Sequence, residues 1–371
     1  MLNGPADAID TNLVRRVLVT KLRHHGDVLL ASPVFTVLRR ALPAAELDAL
    51  VYRETAGMLE GHPAIANVHT IDRDWKRSGF LSQAGAESRL LRSLAARRFD
   101  LVVHLTEHPR GAWLARLLRP RYAAARELPG GHWLWRTSFT HYYRLPRARP
   151  RHTVECNLDA LRRLGIQPAS DERALVLVPG ERAEARARAL MLENGLERSR
   201  FILLHPGSRW LFKSWTPQRY AALIEAVAGD RWRVVVTGAP DPRERELVDA
   251  TLGALTRETR SAVADLSGAL DLRELAALIG QARAFVGVDS APMHIAAAMH
   301  TPVVALFGPS GEIEWGPWRV PHRIVVSTEH PCRPCGIDGC GGGKLSECLT
   351  TLNPAQVYEA LREVLAETHP R

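Results

Sequence analysis

The stretch of this 371-residue chain richest in chemistry runs from Phe285 to Pro309, FVGVDSAPMHIAAAMHTPVVALFGP. An apolar strand leads into Asp289-Ser290, a helix opens at Ala291-Pro292, His294 falls in its first turn, and a second apolar strand ends at Gly308-Pro309. Proline suits a helix start because the N–H it lacks has no partner there. The unpaired amides of that first turn face the carboxyl end of a sheet, where anions and phosphates bind. This spacing points to a nucleotide or nucleotide-sugar site.

Three further strand-to-helix connections carry polar residues. In Lys21-Leu-Arg-His-His-Gly26-Asp27, Gly26 allows a tight turn. Asp27 then either takes a proton from an attacking hydroxyl or caps the next helix. In HPGSRWLFKSW, residues 205–215, the small Gly207 and Ser208 permit close approach to a phosphate, and Lys213 can neutralise a diphosphate leaving group. Neither a Walker P-loop nor a G-x-G-x-x-G after a strand is present, which disfavours nicotinamide and flavin chemistry. After the strand 234–237, Asp241 or Glu244 could hydrogen-bond ribose hydroxyls, although acids at a helix start have the same address. Finally, Cys332, Cys335, Cys340 and Cys348 lie within 17 residues. Either they form a structural zinc site or they are reduced packing cysteines.

Short apolar runs at 17–21, 101–105, 201–205, 232–237, 285–288 and 303–307 alternate with helical stretches. That alternation predicts parallel, doubly wound sheets. A polar stretch near 165–200 separates two halves that repeat the pattern, so two Rossmann-like domains are expected in place of one large sheet.

The charge is lopsided. Of the net +9, all is carried by residues 1–172, with 26 Lys+Arg against 17 Asp+Glu. Between His108 and His152 there are ten arginines and one acid, Glu127, with Trp113, Trp133, Trp135, Tyr142 and Tyr143 among them. Such a stretch suits an anionic partner: a membrane headgroup region, a phosphorylated glycolipid or a nucleic acid. Only four of the 49 basic residues are lysine, and a lysine and an arginine are not interchangeable at a crowded phosphate. No apolar run reaches the roughly 20 residues of a membrane span. The opening MLNGPADAID lacks signal-peptide character, so a cytoplasmic protein is expected.

Taken in order, K-x4-G-D at Lys21–Asp27, HPGSRWLFKSW at 205–215, DLSG at 265–268 and VGVDSAPMHIAAA at 286–298 resemble the lipopolysaccharide-core heptosyltransferases of glycosyltransferase family nine. The resemblance covers about Arg15 to Leu352. The RWLF-K-W form and CRPCGIDGCGGGKLSECL at 332–349 are more similar to the heptosyltransferase III branch. The resemblance implies an α/β GT-B fold, two Rossmann-like doubly wound domains facing a central cleft. Residues 1–172 would bind acceptor and 173–352 the donor, with a helix in 353–371 packing back toward the N-terminal domain.

It further implies inverting transfer from ADP-L-glycero-β-D-manno-heptose to the lipopolysaccharide inner core, the third heptose going onto heptose II of heptosylated Kdo-lipid A. No cofactor or catalytic metal is needed. Asp27 matches the general base. Ser208 and Lys213 match the donor-phosphate loop, Asp289 and His294 the donor block, and Ser290, Ala291 and Met293 present backbone groups to the donor, with Glu244 on the ribose. Lys21, Arg144 and Arg147 are the acceptor candidates, and a peripheral place on the anionic cytoplasmic face of the inner membrane follows. Two alternatives stand beside this one: a GT-B nucleotide-sugar epimerase, and a basic nucleic-acid-binding protein without RRM, KH or zinc-finger pattern.

Overall fold

The computed structural model describes residues 5–77, 80–145 and 149–368. The chain divides into two compact units between Val178 and Pro179, within the polar stretch and six residues beyond the predicted boundary. Each unit holds one six-stranded sheet in which every pairing is parallel.

In the N-terminal unit β1 (Arg16–Thr20) leads to α1 (His25–Leu29) and α2 (Ser32–Ala41), then β2 (Glu46–Tyr52) and β3 (Asn67–Ile71). After α3 (Phe80–Arg97) come β4 (Leu101–His104), α4 (Pro109–Leu118), β5 (Tyr122–Arg126), α5 (Trp133–Arg136), β6 (His141–Tyr143) and α6 (Thr153–Arg163). The strand order is β3-β2-β1-β4-β5-β6. The periodicity predicts one helix over 28–42, whereas the structure breaks it into α1 and α2. Pro33 explains the break: its ring would clash with the carbonyl of Leu29, four residues back, and it has no N–H to donate. Leu18, Leu50 and Val102 of the sheet pack with Leu94 of α3 and Leu114 of α4.

The C-terminal unit begins with α7 (Glu181–Glu193) and continues β7 (Phe201–His205), α8 (Pro217–Gly229), β8 (Arg233–Val236), α9 (Pro242–Gly253), α10 (Arg257–Ser261) and β9 (Val263–Asp265). Then follow α11 (Leu272–Ile279), β10 (Ala284–Val288), α12 (Ala291–Ala298), β11 (Val303–Phe307), α13 (Glu312–Trp315), β12 (His322–Val326), α14 (Glu347–Thr350) and α15 (Pro354–Glu367). Its order, β12-β11-β10-β7-β8-β9, repeats that of the first sheet. Local capping sets several helix starts. Asp271 with Glu274 and Asn353 with Gln356 each form a reciprocal capping box, satisfying amides that no helical carbonyl reaches.

The last helix corrects an expectation. In place of packing back toward the N-terminal domain, α15 buries Val357, Leu361 and Val364 in the C-terminal core with Leu204, Val286 and Val304. Arg283 fastens its far end by donating to the Leu365 carbonyl (2.6 Å) and the Thr368 hydroxyl (2.7 Å), satisfying groups that a helix C-terminus leaves open. No helix among the described residues is long and apolar enough to cross a membrane.

Of the buried histidines among the described residues, three have their pKa lowered by that burial. Burial pushes His62 down to about 4, His104 to about 3 and His205 to about 4. Because the folded values lie below the ordinary 6.5, the unfolded chain binds more protons below that pH, and stability is lost as pH falls from 6.5 toward 4. Each should contribute a loss of about 1–2 kcal/mol by pH 5. Urea unfolding at pH 7 and pH 5 should therefore show a lower midpoint in acid; an unchanged midpoint would contradict neutral buried imidazoles.

Candidate active site

The first sheet reverses its winding between β1 and β4 and the second between β7 and β10. Ligands of open α/β sheets bind beyond the carboxyl ends of the strands at such a point. The connections leaving β1, β7 and β10 hold Lys21, Asp27, Ser208, Lys213 and the residues from Asp289 to His294.

In the C-terminal unit the loops after β7 and β10 are joined by an ion pair. Lys213 Nζ donates to Asp289 Oδ2 at 2.6 Å, with the lysine side chain 22% and the aspartate 8% exposed. Ser290 stands at the N-cap of α12 but makes no side-chain capping bond. Its Oγ is buried, with no hydrogen-bond partner among the described residues. Pro292 has no N–H, and the Met293 amide donates to the Ser290 carbonyl at 3.2 Å. The expectation that Met293 presents its amide to a ligand is thus corrected; the amides of Ser290 and Ala291 remain as candidates. His294 is buried in the same turn. An ammonium, a hydroxyl and two amides at a helix start are donors of the kind that can meet a diphosphate.

Ser208 has a different part from the one expected. Its hydroxyl donates to the Trp210 carbonyl (2.7 Å) and accepts from the Trp210 amide (3.2 Å), so it shapes the loop that presents Lys213. Glu244 leans over Gly207, where any Cβ would collide with its carboxylate, and Oε2 accepts from the Ala239 amide at 2.9 Å. Burial raises the Glu244 pKa. Asp241 caps α9 through the Arg243 amide at 2.9 Å. Trp215 belongs to the core, its indole donating to the Leu352 carbonyl.

In the N-terminal unit Asp27 is the third residue of α1 and half-buried. The N-cap position belongs to His24. Among the described residues the Asp27 carboxylate has no hydrogen bond or ion pair, so the capping alternative is not realised. Gly26, expected to make a turn, is a buried helical residue. Lys21 corrects the acceptor assignment. It is 7% exposed, and its ammonium donates to the Leu105 carbonyl (3.1 Å) and to Asn157 Oδ1 (3.0 Å). Burial pulls its pKa down to about 8, against the opposing pull of Asp27. Lys21 braces the loop from inside.

Asn157 was not singled out by sequence. It lies on α6, and its Nδ2 donates to the carbonyl of Leu30, the C-cap residue of α1, at 3.0 Å. One amide therefore holds both ends of the segment carrying Asp27. A polar residue on the buried stripe Val154-Asn157-Leu158-Leu161 is the signal that could have found it.

Arg144 is ion-paired to Glu127 with its side chain exposed. Arg147 lies outside the described residues. A cavity of ≈ 780 Å³ opens beside α5, lined in part by Glu127, Trp135, Arg136, Tyr142, Arg144 and Arg163. It contains none of the switch-point residues. For the four clustered cysteines, zinc binding and packing are the two alternatives. Among the described residues no three His, Cys, Asp or Glu side chains are grouped to hold a metal. Cys332, Cys335 and Cys340 are exposed while Cys348 is buried beneath Gly308. Burial pushes the Cys348 thiol pKa up, disfavouring the thiolate a metal needs.

Residues 88–344 match the model of glycosyltransferase family 9 (heptosyltransferase). The chain belongs to this family. It is 32% identical over 299 residues to lipopolysaccharide heptosyltransferase 3 of Escherichia coli, covering 80% of this chain and 84% of that protein. The fold is GT-B, as in a family 9 glycosyl transferase from Veillonella parvula (TM-score 0.82, 24% identity, 98% of this chain and 100% of that one). The E. coli ADP-heptose lps heptosyltransferase II is also similar (TM-score 0.74, 21% identity, 95% and 99%). The chain is thus a heptosyltransferase enzyme, neither the epimerase nor the nucleic-acid-binding protein that the sequence left open.

Removing the clamp should show its role. Asn157→Ala should lower kcat about ten- to a hundredfold through misplacement of the α1 segment, with KM for the nucleotide sugar unchanged. Stability should fall by about 1–3 kcal/mol as the Leu30 carbonyl and the Lys21 ammonium lose a buried partner. Full turnover in the folded variant would show that the clamp does not position the loop.

Proposed function

We propose that this heptosyltransferase moves heptose from ADP-L-glycero-β-D-manno-heptose to the inner core of lipopolysaccharide, adding the third heptose onto heptose II. The observation that carries the nucleotide-sugar reading is the Lys213–Asp289 pair beside the uncapped start of α12. The step to the third heptose is supported by the 32% identity with the E. coli enzyme of that name. ADP-heptose as donor is supported by the name of the E. coli heptosyltransferase II.

In the proposed reaction an acceptor hydroxyl attacks the anomeric carbon from the face opposite ADP. The new C–O bond forms as the bond to the diphosphate oxygen breaks, which inverts the centre. Asp27 takes the hydroxyl proton, for which its unpartnered carboxylate is suited. The charge that builds on the diphosphate is met by the Lys213 ammonium, the Ser290 hydroxyl and the amides of Ser290 and Ala291. Such donors, fixed before the reaction, favour the transition state over the bound ground state. The chain's own residues supply every step, with no cofactor. The acceptor is a glycolipid, heptosylated Kdo-lipid A, met at the cytoplasmic face of the inner membrane.

ADP release from ADP-heptose should depend on added core-lipid acceptor. Release without acceptor at the same rate would contradict transfer. Asp27→Asn should keep donor binding while turnover falls about 10²–10⁴-fold; near-normal turnover in a well-folded variant would falsify the base assignment. Lys213→Ala should cost about 2–4 kcal/mol of transition-state stabilisation, and Lys213→Arg should recover only part of it. If both lysine variants keep parental kcat, the diphosphate is bound elsewhere.

A further inference from the structure

The cysteine-rich segment, residues 332–349, is a motif to which the proposed reaction gives no part, yet it lies against the loops of the C-terminal crevice. Arg333 is its anchor. The Arg333 side chain is only 6% exposed, and a guanidinium is buried to that degree only with partners. Its Nε donates to the Gly308 carbonyl at 2.8 Å, and Nη2 donates to Glu312 Oε2 at 3.1 Å. Gly308 follows β11 and Glu312 opens α13, so one planar fork fixes both ends of that connection. The Gly336 amide adds a bond to the Pro309 carbonyl at 2.9 Å.

Further along, the same segment meets the loop leaving β7. Lys344 Nζ stands 5.7 Å from the centre of the Phe212 ring, and Phe212 is the neighbour of Lys213 in the chain. Just past the segment, the Leu352 carbonyl accepts from the Trp215 indole at 3.2 Å. In the sheet β10 lies between β11 and β7, and the three strands run parallel. Their carboxyl-end loops therefore stand side by side, with Asp289 and Ser290 in the middle. The segment ties together the loops on either side of them.

We infer that Arg333 is a positioning residue of the nucleotide-sugar site. Through the segment that carries it, Arg333 holds the β11 and β7 loops at the spacing in which Lys213, Asp289 and Ser290 face one ligand. The assignment rests on the nucleotide-sugar reading above. Packing alone would be served by an unbranched apolar side chain of similar length, which would fill the space and release Gly308 and Glu312. A displacement of about 1 Å in such supporting groups is enough to weaken a site.

Calorimetric titration with ADP, beside steady-state kinetics, tests it. Arg333→Met should weaken ADP binding about tenfold and raise KM for the nucleotide sugar by a similar factor, with KM for the core-lipid acceptor unchanged. Arg333→Lys keeps a charged donor without the fork and should recover part of the affinity. Lys344→Met alters an exposed side chain at the other end of the segment and should weaken ADP binding about two- to fivefold. Cys348, buried against Gly308, should be alkylated by N-ethylmaleimide faster in Arg333→Met than in the parent. A mere loss of folded enzyme would lower apparent kcat and leave the ADP affinity and both KM values as they were.

Parental ADP affinity in folded Arg333→Met overturns the inference, as does a fall in kcat with unchanged affinity. If Arg333→Met does not fold, parental affinity in Lys344→Met is sufficient to overturn it. Failure of the parent itself to bind ADP would strike the nucleotide-sugar reading on which the assignment stands.

Discussion

Both sheets of this enzyme reverse their winding between their first and fourth strands, and the polar groups that matter are gathered by that reversal. Strands on either side of the reversal send their connections to opposite faces of the sheet. The two loops therefore separate and leave a crevice at the carboxyl edge. In the C-terminal unit the crevice receives Lys213 from one side and Asp289 with Ser290 from the other. In the N-terminal unit Asp27 lies on a short helix after β1, and the loop before that helix is tied to the loop after β4 by the bond from the Leu22 amide to Thr106 Oγ1 (2.9 Å).

The chemistry of the two crevices differs because the burial of their charges differs. The ammonium of Lys213 is partly open and held by a single carboxylate, an arrangement from which a diphosphate can recruit it. That of Lys21 is enclosed by a carbonyl and an amide, neutral partners that fix its place and leave it no access to substrate. Two lysines in comparable strand-end positions thus take opposite roles, one toward ligand and one toward scaffold. Enclosure costs the inner one part of its basicity, because desolvation disfavours the charged form.

Glycine and histidine positions show how closely the layers approach. Gly207 admits the Glu244 carboxylate, and Gly111 of α4 admits the His104 ring, which also meets the Thr20 hydroxyl across β1 and β4. A side chain at either glycine would push a polar group out of its place beneath the crevice. These contacts join residues far apart in the chain, so nothing in the local pattern of either partner announces them. The same holds for Asn157, whose two bonds reach residues more than a hundred positions away.

Local sequence decided what depends on neighbours along the chain. Apolar runs became strands, Asp271 and Asn353 opened helices, and Pro33 ended one, each through propensity or capping that acts within a few residues. The strand-end loops of Lys21–Asp27, 205–215 and 289–294 were legible because their residue types and spacing suit a strand-to-helix turn. Tertiary structure decided which of those residues remain available to a ligand. Lys21, Ser208 and Met293 have the right chemistry, yet partners within the fold occupy them. The Ser290 hydroxyl stays without a partner among the described residues, and Lys213, held only by the Asp289 carboxylate, keeps part of its side chain exposed. The location of unbalanced positive charge was likewise undecided by composition. Ten arginines lie between His108 and His152, and only packing shows which of them the carboxylates neutralise.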